Sequence, residues 1–282
     1  MHSDSRFETV LEFYDTHPIN EHEIREKLRL GGNETGEFIQ EELLKYDQDH
    51  YGGVAATDAL ASLANVTAAS HVLDIGSGMG GPARYLARQY GCRVSGLDLT
   101  ESRVLGARRL TDLAGLSERI DFNRGNALDM PFEAASFDAV VSQETFLHVP
   151  DKATLLSECA RVLKPAGRIA FTDILVTDKM DEATRTRLED KMATNDLVSA
   201  DAYRELLAGS GFDKIEVRDL SDEWRDILVK RLAMYRSLKD QTIKRFGEDG
   251  FRKWDDAYAF FVGLYQTGEL GGGRFSATRL AD

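Results

Sequence analysis

The sequence has few cysteines and no long apolar run. Its 282 residues include two cysteines, Cys92 and Cys159, which are too few for a disulfide framework or a cysteine metal cluster. We expect both to be buried thiols in a reducing cytoplasm. No stretch of about 18 uncharged apolar residues occurs, so no membrane span is predicted. The first 15 residues carry acids and no apolar segment, so we also expect no secretory signal.

Basic side chains are scarce relative to acidic ones. Lysine and arginine number 35 against 48 aspartates and glutamates, which gives a formal net charge of −13 at pH 7. Phosphate backbones bind basic surfaces, so we expect no nucleic-acid partner. An acidic, solvated surface accounts for the charge and is compatible with a neutral, zwitterionic or cationic small substrate. A homodimer is compatible with the sequence, which does not specify the oligomeric state.

Short apolar segments alternate with amphipathic ones through the middle of the chain. Helix-like segments, the first of them GPARYLARQY, separate five predicted strands, HVLDI, RVSGLDL, RIDFNRGNA, FDAVVSQE and GRIAFTDIL. This alternation predicts βαβ units and a parallel sheet with helices on both faces. Two further strands are predicted near the end of the chain, FDKIEVRDL and GGRFSATRL.

Three regions follow from this pattern. Residues 1–66 are predicted to form a helical cap or lid, and residues 67–175 form the α/β core. Residues 176–282 supply helical segments and the last two strands of the sheet. We expect the helical segments to cover the ligand face of the core.

The N-terminal region carries helix signals of its own. Asn20 and Glu23 stand three residues apart in PINEHEIREKLRL, which is the capping-box spacing, and Gly31 and Gly32 are predicted to end that helix. Further helices are predicted in TGEFIQEELLKY and VAATDALASLA.

A glycine cluster follows the first core strand in VLDIGSGMGGPARYLARQYG. Gly76, Gly78 and Gly81 form G-x-G-x-x-G, which by itself is typical of a dinucleotide-binding turn. Asp74, however, stands two residues before the first glycine, where it would repel a pyrophosphate and attract a cationic amino group. S-adenosylmethionine (SAM) has an ammonium group and no phosphate, so the combination favours SAM over NAD(P). Gly81 is interpreted as a site of close helix packing.

A second acid, Asp98, ends the next predicted strand. Its two oxygens can accept hydrogen bonds from ribose hydroxyls. Both SAM and a dinucleotide contain ribose, so Asp98 does not discriminate between them. Alternatively Asp98 caps the following helix, although Thr100 could take that role.

The segments VLDIGSGMGG, GLDLT, GNALDMPF, FDAVVSQETFLHV and LKPAGR together resemble class I SAM-dependent methyltransferases. The resemblance covers residues of about 70–175. It implies a Rossmann-like fold with a seven-stranded, mostly parallel sheet. It also implies that Gly76 and Gly78 face the methionine part of SAM, that Asp74 orders its amino end and that Asp98 holds the ribose.

The same resemblance implies roles for three further residues. Asn126 and Ala127 are expected at the adenine, and Gln143 at the end of the fourth strand near the donor. The family usually has an acid where this chain has Asn126. A carboxylate only accepts a hydrogen bond from the adenine amino group, whereas an amide can accept or donate. S-adenosylhomocysteine (SAH) would be the product of the donor.

A closer resemblance lies in SQETFLHVPDKATLLSECARVLKPAGRIAFTDIL. This segment is similar to sarcosine/dimethylglycine and phosphoethanolamine N-methyltransferases, which implies methylation of a small amine or amino-acid derivative. In the phosphoethanolamine enzymes a histidine at the place of His148 works with a tyrosine from the N-terminal segment. By rough position we expect that tyrosine to be Tyr51, as a catalytic and substrate-binding residue. The alternatives are a helix-entry role for His148 and a packing role for Tyr51.

Aromatic rings could also surround a methylated cation in the acceptor site. Phe146, Tyr14, Trp224 and Tyr265 are the candidates. We favour Phe146 as a substrate contact because it lies two residues from His148.

The segment DQDHYGG precedes the core. Asp47, Asp49 and His50 make metal binding conceivable, but they do not form a recognised ligand set, and SAM chemistry needs no metal. We therefore expect no metal and interpret the segment as a loop or lid, with Gly52 and Gly53 allowing it to move.

Other functions remain open from the sequence. The main alternative is S-methylation of a thioether such as a methionine-like compound, which has no proton to lose and would need no base. Methylation of carbon or oxygen in a natural product, a SAM-binding module without catalysis and an NAD(P)-dependent oxidoreductase are more remote.

Overall fold

The computed structural model describes residues 5–15, 17, 19–31 and 40–281. Within these residues one sheet has seven strands in the order β3-β2-β1-β4-β5-β7-β6. The strands are β1 (His71–Ile75), β2 (Arg93–Asp98), β3 (Ile120–Arg124), β4 (Phe137–Gln143), β5 (Leu163–Val176), β6 (Phe212–Asp219) and β7 (Leu270–Arg279).

Helices connect and cover these strands. In the described part of the chain they are α1 (Ser5–Asp15), α2 (Glu21–Leu30), α3 (Gln40–Leu43), α4 (Gly53–Leu63), α5 (Gly81–Tyr90), α6 (Glu101–Leu113), α7 (Lys152–Val162), α8 (Glu182–Met192), α9 (Ala200–Gly209), α10 (Ser221–Ser237) and α11 (Lys239–Thr267). A 3₁₀ turn spans Phe146–His148. Helix α11 is interrupted at Gly247, which has φ +77°.

The sheet is mostly parallel, as predicted. Strands β1 to β5 pair in parallel, while β7 runs antiparallel to both β5 and β6. Strand β5 extends to Val176 because nine of its residues pair with β7. The strand order reverses between β1 and β4, and in open α/β sheets a ligand crevice opens beyond the carboxyl ends at such a point.

Alternating side chains of the strands fill two cores, one on each face of the sheet. Leu73 and Ile75 pack with α7 and α9 on one face, in a cluster that includes Tyr203. Val72, directly before Leu73, packs on the other face with α4, α5 and α6. Burial on both faces explains why β1 reads as a continuous apolar run. Both cysteines are buried in these clusters, as expected.

Several predicted boundaries agree with the structure for local reasons. Strand β1 and helix α5 have the predicted bounds, and the side chain of Asn20 accepts a hydrogen bond from the Glu23 amide at the start of α2. Gly31 ends that helix, whereas Gly32 lies outside the described residues. The predicted TGEFIQEELLKY helix is described only from Gln40, as the short α3.

A third apolar cluster lies over the carboxyl edge of the sheet. It joins Leu147 of the 3₁₀ turn and Ile174 of β5 to Leu188 of α8, Trp224 of α10 and Phe261 of α11. This cluster anchors the late helices beside the ligand crevice. Among the described residues, no helix combines the length and apolar character needed to cross a membrane.

Candidate active site

A cavity of about 230 Å³ opens at the carboxyl edge of the sheet, between β1 and β4. One side of it is formed by the glycine turn after β1 and the ends of β2 and β4. The other side is formed by α1, the turn of residues 47–53, the 3₁₀ turn and residues of α8 and α11. All the predicted site residues except Phe146 line this cavity.

The glycine turn keeps the cavity open. Gly76 and Gly78 have φ values of +71° and +52°, in the left-handed region that favours glycine. A Cβ atom at Gly76 would lie 2.1 Å from Oγ1 of Thr145, whereas a Cβ at Gly78 would meet no protein atom within 4 Å. The sequence therefore needs glycine at one position for packing and at both for backbone conformation.

Gly81 has a different role at the start of α5. A Cβ atom there would lie 2.3 Å from the carbonyl oxygen of Asp47. The close packing expected at Gly81 is thus with the 47–53 turn. The Asp47 carboxylate forms a fully buried ion pair with Arg84 of α5 at 2.9 Å, which ties the same turn to the helix.

Asp74 is buried beneath the glycine turn. Its Oδ2 atom has no hydrogen-bond partner among the described residues. Burial, and secondarily the negative charge of Asp98, raise its pKa to about 7. A buried acceptor without a partner is costly unless a ligand completes it, and an ammonium group would do so while restoring the charged form.

Asp98 is held in place by backbone donors. Its Oδ2 accepts from the Gly78 amide and its Oδ1 from the Thr100 amide, both at 2.9 Å. Burial raises its pKa, although these hydrogen bonds oppose that rise. Each oxygen keeps a further lone pair, so the carboxylate can still accept from two ribose hydroxyls. The N-cap of α6 is Thr100, and Asp98 is the last residue of β2, two positions earlier.

Asn126 and Ala127 line the cavity beyond β3. Oδ1 of Asn126 accepts from the Leu128 amide at 2.9 Å, which fixes the side chain. Gln143 lines the cavity at the end of β4, with its Oε1 accepting from Thr57 at 3.1 Å. The buried acceptor at Asp74, the space over Gly78 and the carboxylate at Asp98 together fit the amino, methionine and ribose parts of SAM.

His148 faces the cavity from the 3₁₀ turn and is hydrogen-bonded at both ring nitrogens. Its Nδ1 lies 2.8 Å from the carbonyl oxygen of Ala193, which can only accept, so Nδ1 carries the proton. Its Nε2 is therefore an acceptor, and it receives the hydroxyl of Tyr14 at 2.8 Å. Burial lowers the pKa of His148 to about 4 and raises that of Tyr14, so both groups are neutral near pH 7.

The partner of His148 is Tyr14 of α1, and the pairing with Tyr51 was wrong. Tyr51 lines the cavity, but its ring packs edge-on against Trp224 at 4.9 Å, under the guanidinium of Arg231. Its backbone amide donates a hydrogen bond to the Glu144 carboxylate at 2.7 Å. Tyr14 lies 134 residues from His148, a separation that local patterns cannot connect.

Phe146 does not contact the cavity, contrary to the prediction. Its side chain is fully buried in the sheet core, with its ring 4.8 Å from that of Phe171. In the 3₁₀ turn the side chains of Phe146 and His148 point to opposite sides. Trp224 and Tyr265 are likewise buried in the cluster over the sheet edge, and of the four aromatic candidates only Tyr14 lines the cavity.

The sequence reasoning missed Glu144, which lines the cavity directly after β4. Its backbone has φ +46°, and its carboxylate accepts from the Tyr51 amide and from the Thr172 hydroxyl at 2.6 Å. Burial raises its pKa to about 7. The sequence contained a signal for Glu144: it follows a predicted core strand directly, as Asp74 and Asp98 also stand at the carboxyl ends of core strands.

Comparison with known proteins places this geometry in a family. Residues 73–171 match the methyltransferase domain family. The chain is 33% identical to a glycine/sarcosine/dimethylglycine N-methyltransferase of Actinopolyspora halophila over 70% of its own length and 36% of that protein. It is 31% identical to the methyltransferase GfsG of Streptomyces halstedii, over 77% of each protein.

Solved structures show the same fold. Phosphoethanolamine N-methyltransferase 2 of Haemonchus contortus, in complex with phosphomonomethylethanolamine and SAH, has a TM-score of 0.77. Its identity is 22%, and the match covers 96% of this chain and 60% of that one. The chain thus spans little more than a third of the first relative and three fifths of this neighbour. The chain belongs to the SAM-dependent methyltransferases, as shown by these relatives together with its own glycine turn and the acids at the ends of its strands.

Proposed function

We propose that the chain transfers a methyl group from SAM to the nitrogen of a small amine or amino-acid derivative of the sarcosine/dimethylglycine kind. The observation that carries the proposal is the 2.8 Å hydrogen bond from Tyr14 to His148 inside the cavity that also contains the donor residues. SAM supplies an electrophilic methyl carbon. The protein must present an uncharged nitrogen in line with that carbon.

Tyr14 and His148 are suited to orient the nitrogen. Because the Tyr14 proton is donated to Nε2 of His148, the phenol oxygen turns its lone pairs toward the cavity. It can then accept an N–H of the acceptor and direct the nitrogen lone pair elsewhere. Burial lowers the pKa of His148 from the ordinary 6.5 to about 4, so the ring is a poor acceptor for the proton of an ammonium group near pH 7.

Glu144 is better matched to take the proton of an ammonium. Its pKa of about 7 lies near neutral pH, where a general base works best. Both of its oxygens accept one hydrogen bond from the protein and retain another lone pair. We assign to Glu144 the attraction of the cationic acceptor and the removal of its proton.

The charge of the cavity also supports an amine. Among the described residues that line it, Arg103 is the single lysine or arginine. Its guanidinium lies over the Tyr14 ring at 4.9 Å. Five acidic residues line the cavity, Asp47, Asp49, Asp74, Asp98 and Glu144, and of these the Asp47 carboxylate is neutralised by its ion pair with Arg84. One arginine can balance a single carboxylate of an amino acid, whereas a doubly charged phosphate would be poorly compensated, so we favour a glycine derivative over a phosphorylated amine.

Apolar side chains surround the reacting centre. Val10, Phe13, Leu147, Ile174 and Phe261 line the acceptor side of the cavity. They limit the access of water and strengthen the electrostatic interactions inside. Aromatic faces among them, from Phe13 and Tyr14, suit a methylated ammonium product.

One assay tests the proposal: SAM with a panel of amines, amino acids, hydroxy compounds and thioethers, measured by SAH release. We expect turnover with glycine derivatives. Tyr14→Phe should lower kcat by about 100-fold, because the acceptor nitrogen loses the hydrogen bond that orients it. Tyr85→Phe serves as the control, because Tyr85 of α5 donates to Asp58 of α4 and is not among the residues that line the cavity.

Two outcomes would contradict the proposal. Turnover with methionine-like compounds alone would favour the S-methylation alternative. A Tyr14→Phe variant with wild-type kcat on an amine would show that the hydrogen bond to His148 is not used.

A further inference from the structure

The 3₁₀ turn that carries His148 is bonded to residues 193–195, which follow α8 directly. The backbone amide of Asn195 donates to the Leu147 carbonyl at 2.6 Å, and its side-chain Nδ2 donates to the His148 carbonyl at 3.0 Å. A carbonyl oxygen can only accept, so the orientation of the Asn195 side-chain amide is fixed by its partner. Two hydrogen bonds therefore join the backbone of the turn to Asn195.

The same segment fixes the tautomer of the His148 ring. Nδ1 of His148 lies 2.8 Å from the carbonyl oxygen of Ala193, so Nδ1 carries the proton and Nε2 is the acceptor for Tyr14. Ala193 is 3% exposed and has φ +50°, in the left-handed region. A residue other than glycine keeps this conformation where the surrounding contacts determine it. The contact between Ala193 and the ring thus depends on how residues 193–195 are held.

Lys152 of α7 joins the end of the turn to this segment. Its Nζ donates to the Val149 carbonyl at 2.7 Å and to the Asn195 carbonyl at 3.1 Å, and the residue is 1% exposed. A buried ammonium loses its hydration, and an apolar side chain of similar size would often stabilise a fold as well. The two carbonyls that Lys152 binds therefore indicate a role in position and not in stability alone.

The start of the turn is held by Asp173 of β5. Its Oδ1 accepts from the Leu147 amide at 3.1 Å, and its Oδ2 accepts from the Tyr203 hydroxyl at 2.6 Å. Both Asp173 and Tyr203 are buried. The Leu147 amide and the carbonyls of Leu147, His148 and Val149 are thus each bonded to a residue outside the turn.

We infer that Lys152 and Asn195 are positioning residues for the methyl transfer, which hold the turn against residues 193–195 so that Nε2 of His148 accepts from Tyr14. Neither Lys152 nor Asn195 lines the cavity, so they act through His148 and not on the substrate. When they are removed, the ring gains the freedom to rotate or to move its proton to Nε2. The Tyr14 hydroxyl then loses its acceptor, and its lone pairs lose their fixed direction.

The catalytic part of this inference rests on the proposed function, because that function assigns the orientation of the acceptor to Tyr14 and His148. The structural part does not. The experiment therefore has two measurements. One is the tautomer of His148 in ¹⁵N NMR spectra of the SAH complex without acceptor, assigned by the signal that His148→Gln lacks. The other is kcat and KM with whichever acceptor gives SAH release, so a failed amine assay ends the proposed function and leaves this test in place.

Lys152→Met keeps the length of the side chain and removes both of its hydrogen bonds. We expect wild-type His148 to carry its proton on Nδ1 and the variant to shift the tautomer ratio toward Nε2–H by roughly fivefold, as for the loss of one hydrogen bond. Its kcat should fall by about tenfold because the acceptor is less well aligned, while acceptor KM and SAH affinity stay within about twofold.

Asn195→Ala provides a second variant at a partly buried position, where loss of the side chain leaves the fold intact. It removes the Nδ2 bond and keeps the backbone bond, so the changes in tautomer ratio and kcat should be smaller, about two- to fivefold. Ser199→Ala is the matched control. It removes the cap of α9, where Oγ accepts from the Ala202 amide at 3.2 Å, and should leave both the tautomer and kcat unchanged.

Three outcomes would overturn the inference. The first is a wild-type His148 with its proton on Nε2. The second is a wild-type tautomer ratio or a wild-type kcat in both Lys152→Met and Asn195→Ala. The third is a change of the same size in Ser199→Ala, which would show that the effect follows from any loss of stability in this region.

Discussion

The two sides of the cavity are built in different ways. The donor side comes from consecutive β–α units. Asp74, Gly76 and Gly78 occupy every second position after the start of the first strand, and Asp98 ends the next strand. The acceptor side is assembled from α1, the 47–53 turn, the 3₁₀ turn, α8 and α11, which are far apart in the chain. A compact motif is read from local spacing, whereas an assembled site depends on how distant helices pack.

The largest effect that separates the two sides is expected at Gly76. Gly76→Ala should weaken SAH binding by more than about 100-fold and lower the thermal midpoint, because its Cβ would overlap Thr145 at an already unfavourable φ. Gly115→Ala is the control: it has φ +66° but no atom within 4 Å of its Cβ. It should lower stability by about 1 kcal/mol and leave SAH binding unchanged. SAH binding by Gly76→Ala within threefold of wild type would contradict a rigid donor side.

The next effect concerns the charge at Asp74. With a pKa of about 7, the carboxyl is largely protonated at pH 6 and must ionise to bind an ammonium. SAH affinity should therefore fall by up to about tenfold from pH 8 to pH 6, with proton release on binding near pH 7. Asp74→Asn should bind about 10- to 100-fold more weakly at pH 8 and release no proton. Calorimetry in buffers of different ionisation enthalpy measures both quantities, and pH-independent wild-type binding would oppose the assignment.

On the acceptor side, Glu144→Gln should change the pH profile. At saturating SAM, kcat/KM for the acceptor should rise with pH through about 7 in the wild type, as Glu144 ionises. The variant should lose this limb and about tenfold in kcat, while SAH affinity stays unchanged. An equal loss in SAH affinity would show that the two sides are not separable.

The pH dependence of the free energy of unfolding tests the raised pKa of Glu144 independently of activity. The folded pKa of Glu144 is raised above the ordinary 4.5, so its contribution to stability is present at low pH and is lost as pH rises through about 7. Chemical denaturation of wild type and Glu144→Gln at pH 5 and pH 8 should show the smaller decline in the variant.

The smallest functional effect is expected at Phe146, which belongs to the core of the sheet. Phe146→Leu should lower the free energy of unfolding by about 1–2 kcal/mol and leave the acceptor KM unchanged. Phe13→Leu, on the cavity wall, should raise that KM instead. A raised KM in Phe146→Leu would restore the original expectation of a substrate contact.

Particular elements show how far pattern reading reached. Strand β1 and α5 were predicted with their bounds because an apolar run, a glycine turn and a helix of matching period follow one another directly. The last two strands were predicted, but their places were not. Strand β7 inserts antiparallel between β5 and β6, and this order depends on packing across the whole sheet.

In the candidate site, too, the residues at strand ends were predicted correctly and those that depend on tertiary packing were not. Asp74, Asp98 and Gln143 were placed correctly beside the cavity because they stand at strand ends. The predictions that Tyr51 pairs with His148 and that Phe146 contacts the substrate were wrong. Both depended on how a short turn directs alternate side chains and on where α1 lies, which spacing along the chain does not specify.

The amino-acid sequence was sufficient for the donor half, because two short β–α units contain the acid, the glycines and the backbone amides that a SAM site needs. Tertiary packing was required for the acceptor half. It brings Tyr14 to His148 across 134 residues and places Glu144 behind the Tyr51 turn. It also gives a buried glutamate a pKa near neutrality, since desolvation depends on all the elements that surround the group and not on its neighbours in the chain.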